Sequence, residues 1–299
     1  MLKLKIYFWL IIIICFTSKD GFAQTIIQGK ANYNDKVVIF NLEKDRKEYR
    51  IQPIVIIKNN KLIQPPQMNW GNYSPEGSYF VFDYFQYGYS YLAAYSRSNQ
   101  KAVVINEKIN TNERDSTNLC TVTVSARVNL LNKKKILKLL TNSLYVAENN
   151  SYETSGSNLE KKLLLNVFKI YYQQKNGINP LEIFKLSSVS AISYSEKDFI
   201  CKFTIDQKGM KLSKNIISIF EKIGNNYVIN FYKELYQYNE SGGDWSNESM
   251  DYIGAIDVDN DNIPELIFYY SSGESFGYNI LKKYYNGWQN LYSTGDGCG

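Results

Sequence analysis

The sequence predicts a mainly β protein with a few helices, an α+β chain whose antiparallel sheet closes as a barrel or packs as a sandwich. Three observations carry this. Short runs of β-branched and aromatic residues recur along most of the chain. Clusters of Asn, Gly and Pro separate those runs, and one long stretch has the apolar spacing of an amphipathic helix. Hydrophobic residues make up 44% of the 299, enough to fill a core rather than leave the chain disordered.

In chain order, the first segment reads as a secretory signal. Lys3 and Lys5 precede an unbroken apolar run at 6–16, too short for a bilayer span, which takes roughly 20 helical residues. Gly21-Phe22-Ala23 fits a processing site that leaves Gln24 first, so 1–23 is expected to be removed. Ile14 stands before Cys15, where a lipoprotein signal requires a small residue. The expected product is secreted or periplasmic and has no stable membrane span.

A β domain is expected over 24–147, with strands at 36–42, 49–57, 79–84, 89–95, 102–106 and 121–128. Asn59-Asn60 reads as a hairpin turn between the apolar runs on either side, since Asn tolerates the left-handed backbone. Residues 132–140 read as a short basic helix carrying Lys133, Lys134 and Lys135, and 148–157 as a linker. An α+β domain follows over 158–299. Its helix, 159–173, carries Leu163, Leu164, Val167, Phe168 and Tyr171 on one face. Its strands are expected at 189–193, 199–205, 226–231, 255–257, 265–270 and 278–285, while 216–223 suits either a helix or a strand.

Charge and composition exclude several functions. The formal charge is +5, and removing Lys3, Lys5, Lys19 and Asp20 with the signal lowers it to about +3, too little for a nucleic-acid binder. The chain has 0 His, which removes Ser-His-Asp and Cys-His catalysis and His-ligated zinc. Cys120, Cys201 and Cys298 remain after processing, allowing one disulfide and one thiol, or buried thiols only.

The segment Asp257-Val258-Asp259-Asn260-Asp261-Asn262-Ile263-Pro264-Glu265 places carboxylates at relative positions 1, 3, 5 and 9. Calcium takes six to eight oxygens, and a curled loop can aim alternate side chains and one carbonyl at a common centre. Asp257, Asp259, Asp261 and Glu265 are therefore the candidate carboxylate ligands, and Ile263 offers its backbone carbonyl. An EF-hand would need Glu at position 12, where this chain has Phe268. The loop resembles the calcium loops of the FG-GAP and VCBS type, with Asn262 at the position that usually holds Gly. That resemblance implies a strand-loop-strand setting and one bound Ca2+. Gly277-Tyr278, Tyr284-Tyr285-Asn286-Gly287-Trp288 and the end Gly295-Asp296-Gly297-Cys298-Gly299 extend the likeness to a group of bacterial exported proteins without an assigned activity.

Two weaker constellations remain. The aromatic run 79–89, in a chain with 26 Tyr against 15 Phe, suits core packing or a surface that binds a glycan or protein ligand. Asp244 and Glu248 flank Trp245, the minimum equipment of a glycosidase. The expected function is a calcium-stabilised binding or structural protein; the alternative is a His-free glycoside hydrolase working on carboxylates.

Overall fold

The structure is a computed structural model and describes residues 36–45, 48–59, 61–65, 67–68, 90–93, 101–104, 122–123, 126–130, 139–141, 157–192, 197–208, 212–238, 247–259, 261, 263–272 and 275–295. The signal segment, the strand expected at 79–84, the lysine patch 133–135, Cys120, Cys298, Asp244 and Trp245 lie outside these residues.

Strands β1 (Lys36–Asp45) and β2 (Glu48–Lys58) pair antiparallel, with a bulge at Ile39/Phe40. β3 (Lys61–Ile63) turns back on β2 through Asn59, whose φ of 52° is the left-handed conformation that the turn requires. β5 (Ser90–Ala93), β6 (Lys101–Val104), β8 (Ala126–Leu130) and β9 (Leu139–Thr141) complete a seven-stranded sheet in the order β1-β9-β5-β6-β8-β2-β3. Because β1 also pairs with β2, the ladder returns on itself. β4 (Gln67–Met68) and β7 (Val122–Thr123) pair separately.

Two four-stranded meanders follow. One comprises β10 (Glu182–Ala191), β11 (Asp198–Gln207), β12 (Leu212–Ile223) and β13 (Asn226–Tyr238). The other comprises β14 (Glu248–Ile256), β15 (Glu265–Ser272), β16 (Ser275–Tyr284) and β17 (Gly287–Ser293). Among the described residues every pairing is antiparallel, and the expected mainly β, α+β class holds, with the sheets packed face to face as a sandwich.

Burial defines the layers. Val38, Phe40, Ile54 and Leu140 of the first sheet share a cluster with Ile253, Ile256, Ile267 and Ile280 of the last. The opposite face of the last sheet, including Ala255, Leu266, Phe268, Leu281 and Trp288, packs on Ile200, Ile217, Ile219 and Leu235 of the middle sheet. This double coverage explains why Leu266-Ile267-Phe268 is apolar without alternation: all three are fully buried, alternately against different sheets. At the first interface Asn41 donates its amide to the Tyr278 hydroxyl (3.1 Å), which donates to Gln52 (3.3 Å).

Helix α1 (Asn158–Asn176) covers the other face of the middle sheet. Ser157 caps its start by accepting the Glu160 N–H at 3.1 Å, and Gly177 (φ 85°) ends it. Phe168 stacks on Phe203 with centroids 3.7 Å apart. Leu164, Phe168 and Tyr172 form the buried stripe. Leu163, expected on the packing face, is instead 43% exposed.

One expectation about elements needs correction. Leu139 and Leu140, placed in a basic helix at 132–140, lie in β9 and are buried against β1; so short an apolar run follows its tertiary partner rather than its propensity. Segment 216–223, which suited either a helix or a strand, is strand. Strand alternation turns Ile216 and Phe220 towards the helix and Ile217 and Ile219 towards the last sheet, and because both faces are covered the run is apolar on both sides and its period of two is hidden. β17 carried no strand signal because Gln289, Asn290 and Leu291 are exposed on an edge. Its end is held by Thr294, which exchanges backbone and side-chain hydrogen bonds with Tyr278, both at 2.8 Å. A Cβ at Gly277 would lie 2.0 Å from the Thr294 carbonyl oxygen, so only glycine fits there.

Candidate metal centre

The loop 257–264 joins β14 to β15, and the cross-strand pair Ile256 and Glu265 closes its base. This is the strand-loop-strand setting expected from the sequence. Asp257 leaves β14 buried, and Glu265 enters β15 fully buried. Local hydrogen bonds hold the turn between them. The Val258 N–H donates to Glu265 Oε2 at 2.8 Å, the Asp261 N–H to Asp257 Oδ1 at 3.2 Å, and the Ile263 N–H to Asp261 Oδ1 at 2.8 Å.

These bonds gather carboxylates. Single oxygens of Asp257, Asp259 and Glu265 all lie within 4.8 Å of one another, so this acidic triad, two of its members buried and Asp259 half-buried, could hold a metal ion. Asp261 joins the same group through a shared partner that the sequence reading missed. Lys282, on β16, donates to Asp259 Oδ2 at 2.5 Å, Asp261 Oδ2 at 2.6 Å and Glu265 Oε1 at 3.2 Å. Its place follows from register, since Leu266 pairs with Leu281 and the next residue meets Glu265. The signal lay in Lys282-Lys283, two lysines directly after the buried pair Ile280-Leu281, where a partly covered ammonium needs acceptors. Ile263 is exposed at 39% and contributes the N–H bond to Asp261.

The electrostatics show a site short of positive charge. Burial pushes the Glu265 carboxyl up to about 7 from 4.5, and the Asp259 charge adds to that rise, against the Val258 N–H and Lys282. Burial also acts against the charge of Lys282, but the Asp259, Asp261 and Glu265 acceptors outweigh it and hold its ammonium above the ordinary value. For Asp261, burial is outweighed by Lys282 and the Ile263 N–H, which hold the carboxyl below its usual range. One ammonium shared by three carboxylates leaves them under-compensated, and Asp259 Oδ1 is buried with no hydrogen-bond partner among the described residues.

The donor set is all oxygen, which suits a hard cation such as Ca2+ or Mg2+ and not zinc. Cys201 is a free thiol buried in the middle sheet, and burial pushes it up, away from thiolate chemistry. Of the glycosidase candidates, Glu248 opens β14 and accepts the Tyr270 hydroxyl at 3.1 Å. No helix among the described residues is long and apolar enough to cross a membrane.

Compared with known protein families, with curated proteins and with solved structures, the chain has no match.

Proposed function

We propose that this is an exported protein, secreted or periplasmic, that acts by binding or as a structural element and is stabilised by one calcium ion in the loop 257–265. The observation that carries the reading is the convergence of Asp257, Asp259 and Glu265 oxygens within 4.8 Å, two of the three residues being buried. Buried carboxylates at that spacing repel one another strongly, and a divalent cation removes the repulsion that a single ammonium only reduces. Asp261 and the Ile263 carbonyl are the further ligands that the loop order supplies, as in FG-GAP and VCBS-type loops. Calcium suits the site better than magnesium because the ligands come from a curled loop with mixed burial, which tolerates irregular coordination.

In this reading the ion is a staple. It joins β14 to β15 at the edge of a sheet that contacts both other sheets, so loop order and the stacking of layers are coupled. Function then rests on surfaces of the assembled sandwich, with a protein or glycan as the ligand class. The test is thermal unfolding of the purified protein after chelator treatment, with and without added CaCl2. A rise in Tm with calcium is expected, and superimposable curves would sink the calcium reading. Export is checked by cell fractionation and by finding Gln24 at the N-terminus of the extracytoplasmic form.

A further inference from the structure

We propose that Lys282 is a tethered rival of the metal: its ammonium holds Asp259, Asp261 and Glu265 when no ion is bound, and a divalent cation must displace it to enter. The inference rests on the calcium reading above and adds how the site is regulated. Its ground is geometric. Lys282 Nζ lies 2.5, 2.6 and 3.2 Å from three carboxylates that the ion would also use. An ammonium and a divalent ion cannot share that space, because charges of the same sign a few ångströms apart repel strongly where water is partly excluded.

Two features make displacement feasible. The Lys282 side chain is 13% exposed and Asp259 and Asp261 are 33% and 38% exposed, so the ammonium has a short way out to solvent on a flexible stem. The lysine is anchored on a paired strand, β16, while two of its acceptors belong to the loop, so its backbone need not move. A rival held on the chain acts at a high effective concentration. It keeps the acidic loop folded at low calcium and lowers calcium affinity. The loop thereby becomes a site that fills only where calcium is abundant, as it is outside cells.

Three measurements test this on the purified protein and on Lys282→Gln. Calorimetric titration with CaCl2 should show the variant binding roughly tenfold tighter than wild type, within the usual range for coupling between competing ligands. In chelator the variant should melt below wild type, and calcium should restore it. Amine acylation read by mass spectrometry should show Lys282 of the wild-type protein reacting faster once calcium is added, with Lys283 unchanged as the internal control. Equal or weaker calcium binding by the variant, alongside binding by wild type, overturns the rivalry and leaves the calcium site standing. Binding by the variant alone keeps the rivalry and overturns the calcium reading for the native chain. Binding by neither overturns both. If the variant fails to fold, the acylation rates of wild type decide: Lys282 reactivity that is unchanged or slowed by calcium overturns the proposal.

Discussion

Lys282 and Lys283 are consecutive residues of β16 that meet carboxylates on opposite sides of one sheet. Lys283 faces the middle sheet, where Asp198 takes its ammonium with both oxygens at 2.9 and 3.2 Å and Glu221 at 3.4 Å. Asp198 and Glu221 are themselves cross-strand partners on β11 and β12, and Asn230 holds the other Glu221 oxygen at 2.5 Å. The Trp288 ring lies 5.9 Å from the same ammonium. Every member of that group sits on a paired strand. Lys282 faces instead two carboxylates of the loop, Asp259 and Asp261, and Glu265 at the start of β15, and one Asp259 oxygen is buried without a partner among the described residues. Two identical side chains one residue apart therefore do different work. The first pins two sheets together, and the second fills a place that a stronger cation can claim.

The comparison can be broken most directly at the pin. Lys283→Met removes the ammonium from the fully buried Asp198, and losing one partner of a buried pair costs about 3 kcal/mol. Urea unfolding should show that loss equally with calcium and with chelator. A loss below about 1 kcal/mol would mean that the middle and last sheets do not depend on the pair. The same substitution should leave calcium affinity unchanged, because Asp198 and Glu221 do not contribute to the loop.

At the loop the expected effect is conditional on the ion. Calcium at about a hundred times its Kd should stabilise the wild-type protein by ~2.7 kcal/mol, or roughly 5 °C in Tm for a chain of this size. Glu265→Gln should abolish that increment, because it removes a fully buried ligand charge. A full calcium response in Glu265→Gln would place the ion elsewhere.

A smaller effect should appear with pH in chelator. Glu265 has a folded value of about 7 against 4.5 in the open chain, so the folded state holds its proton more tightly. Its contribution is therefore most favourable below about 4.5 and is lost as pH rises through about 7, where the carboxylate becomes charged inside the protein. Calcium, which needs the charged form, should stabilise more at pH 8 than at pH 5. Melting curves across that range would check the sign, and Glu265→Gln should flatten the chelator series.

The smallest effect belongs to a third pair. Lys185 and Asp206 bond at 2.7 Å but are 62% and 36% exposed. Lys185→Ala should change stability by less than about 0.5 kcal/mol, since water and salt screen such a contact. A larger loss would show that distance rather than burial sets the worth of these pairs.

Much of the candidate site was legible because it is local. Asp257, Asp259 and Glu265 are within nine positions, and alternating carboxylates in a short polar loop between apolar runs have few other physical uses. Lys282 was not legible, since it reaches the loop only through the pairing of Leu266 with Leu281 across β15 and β16. The helix was readable from its apolar spacing, yet the identity of the buried stripe was not. Tyr172 is buried because Phe184 meets it edge-on at 5.4 Å, while Leu163 faces outward. β12 stayed ambiguous because its two faces belong to two different cores, so the run is apolar on both sides and shows no alternation.

By itself, then, the sequence determined the strand-rich class, the long helix, the Asn59 turn and the acidic loop, all of which depend on residues within a few positions of one another. Tertiary structure alone decided the rest: the order of the three layers, the burial of Leu266-Ile267-Phe268 from both sides, and the meeting of Lys282 with the loop and of Lys283 with Asp198. The physical reason is that periodicity shows that a side chain must be covered or a charge neutralised, whereas only packing and strand register choose which distant residue does it.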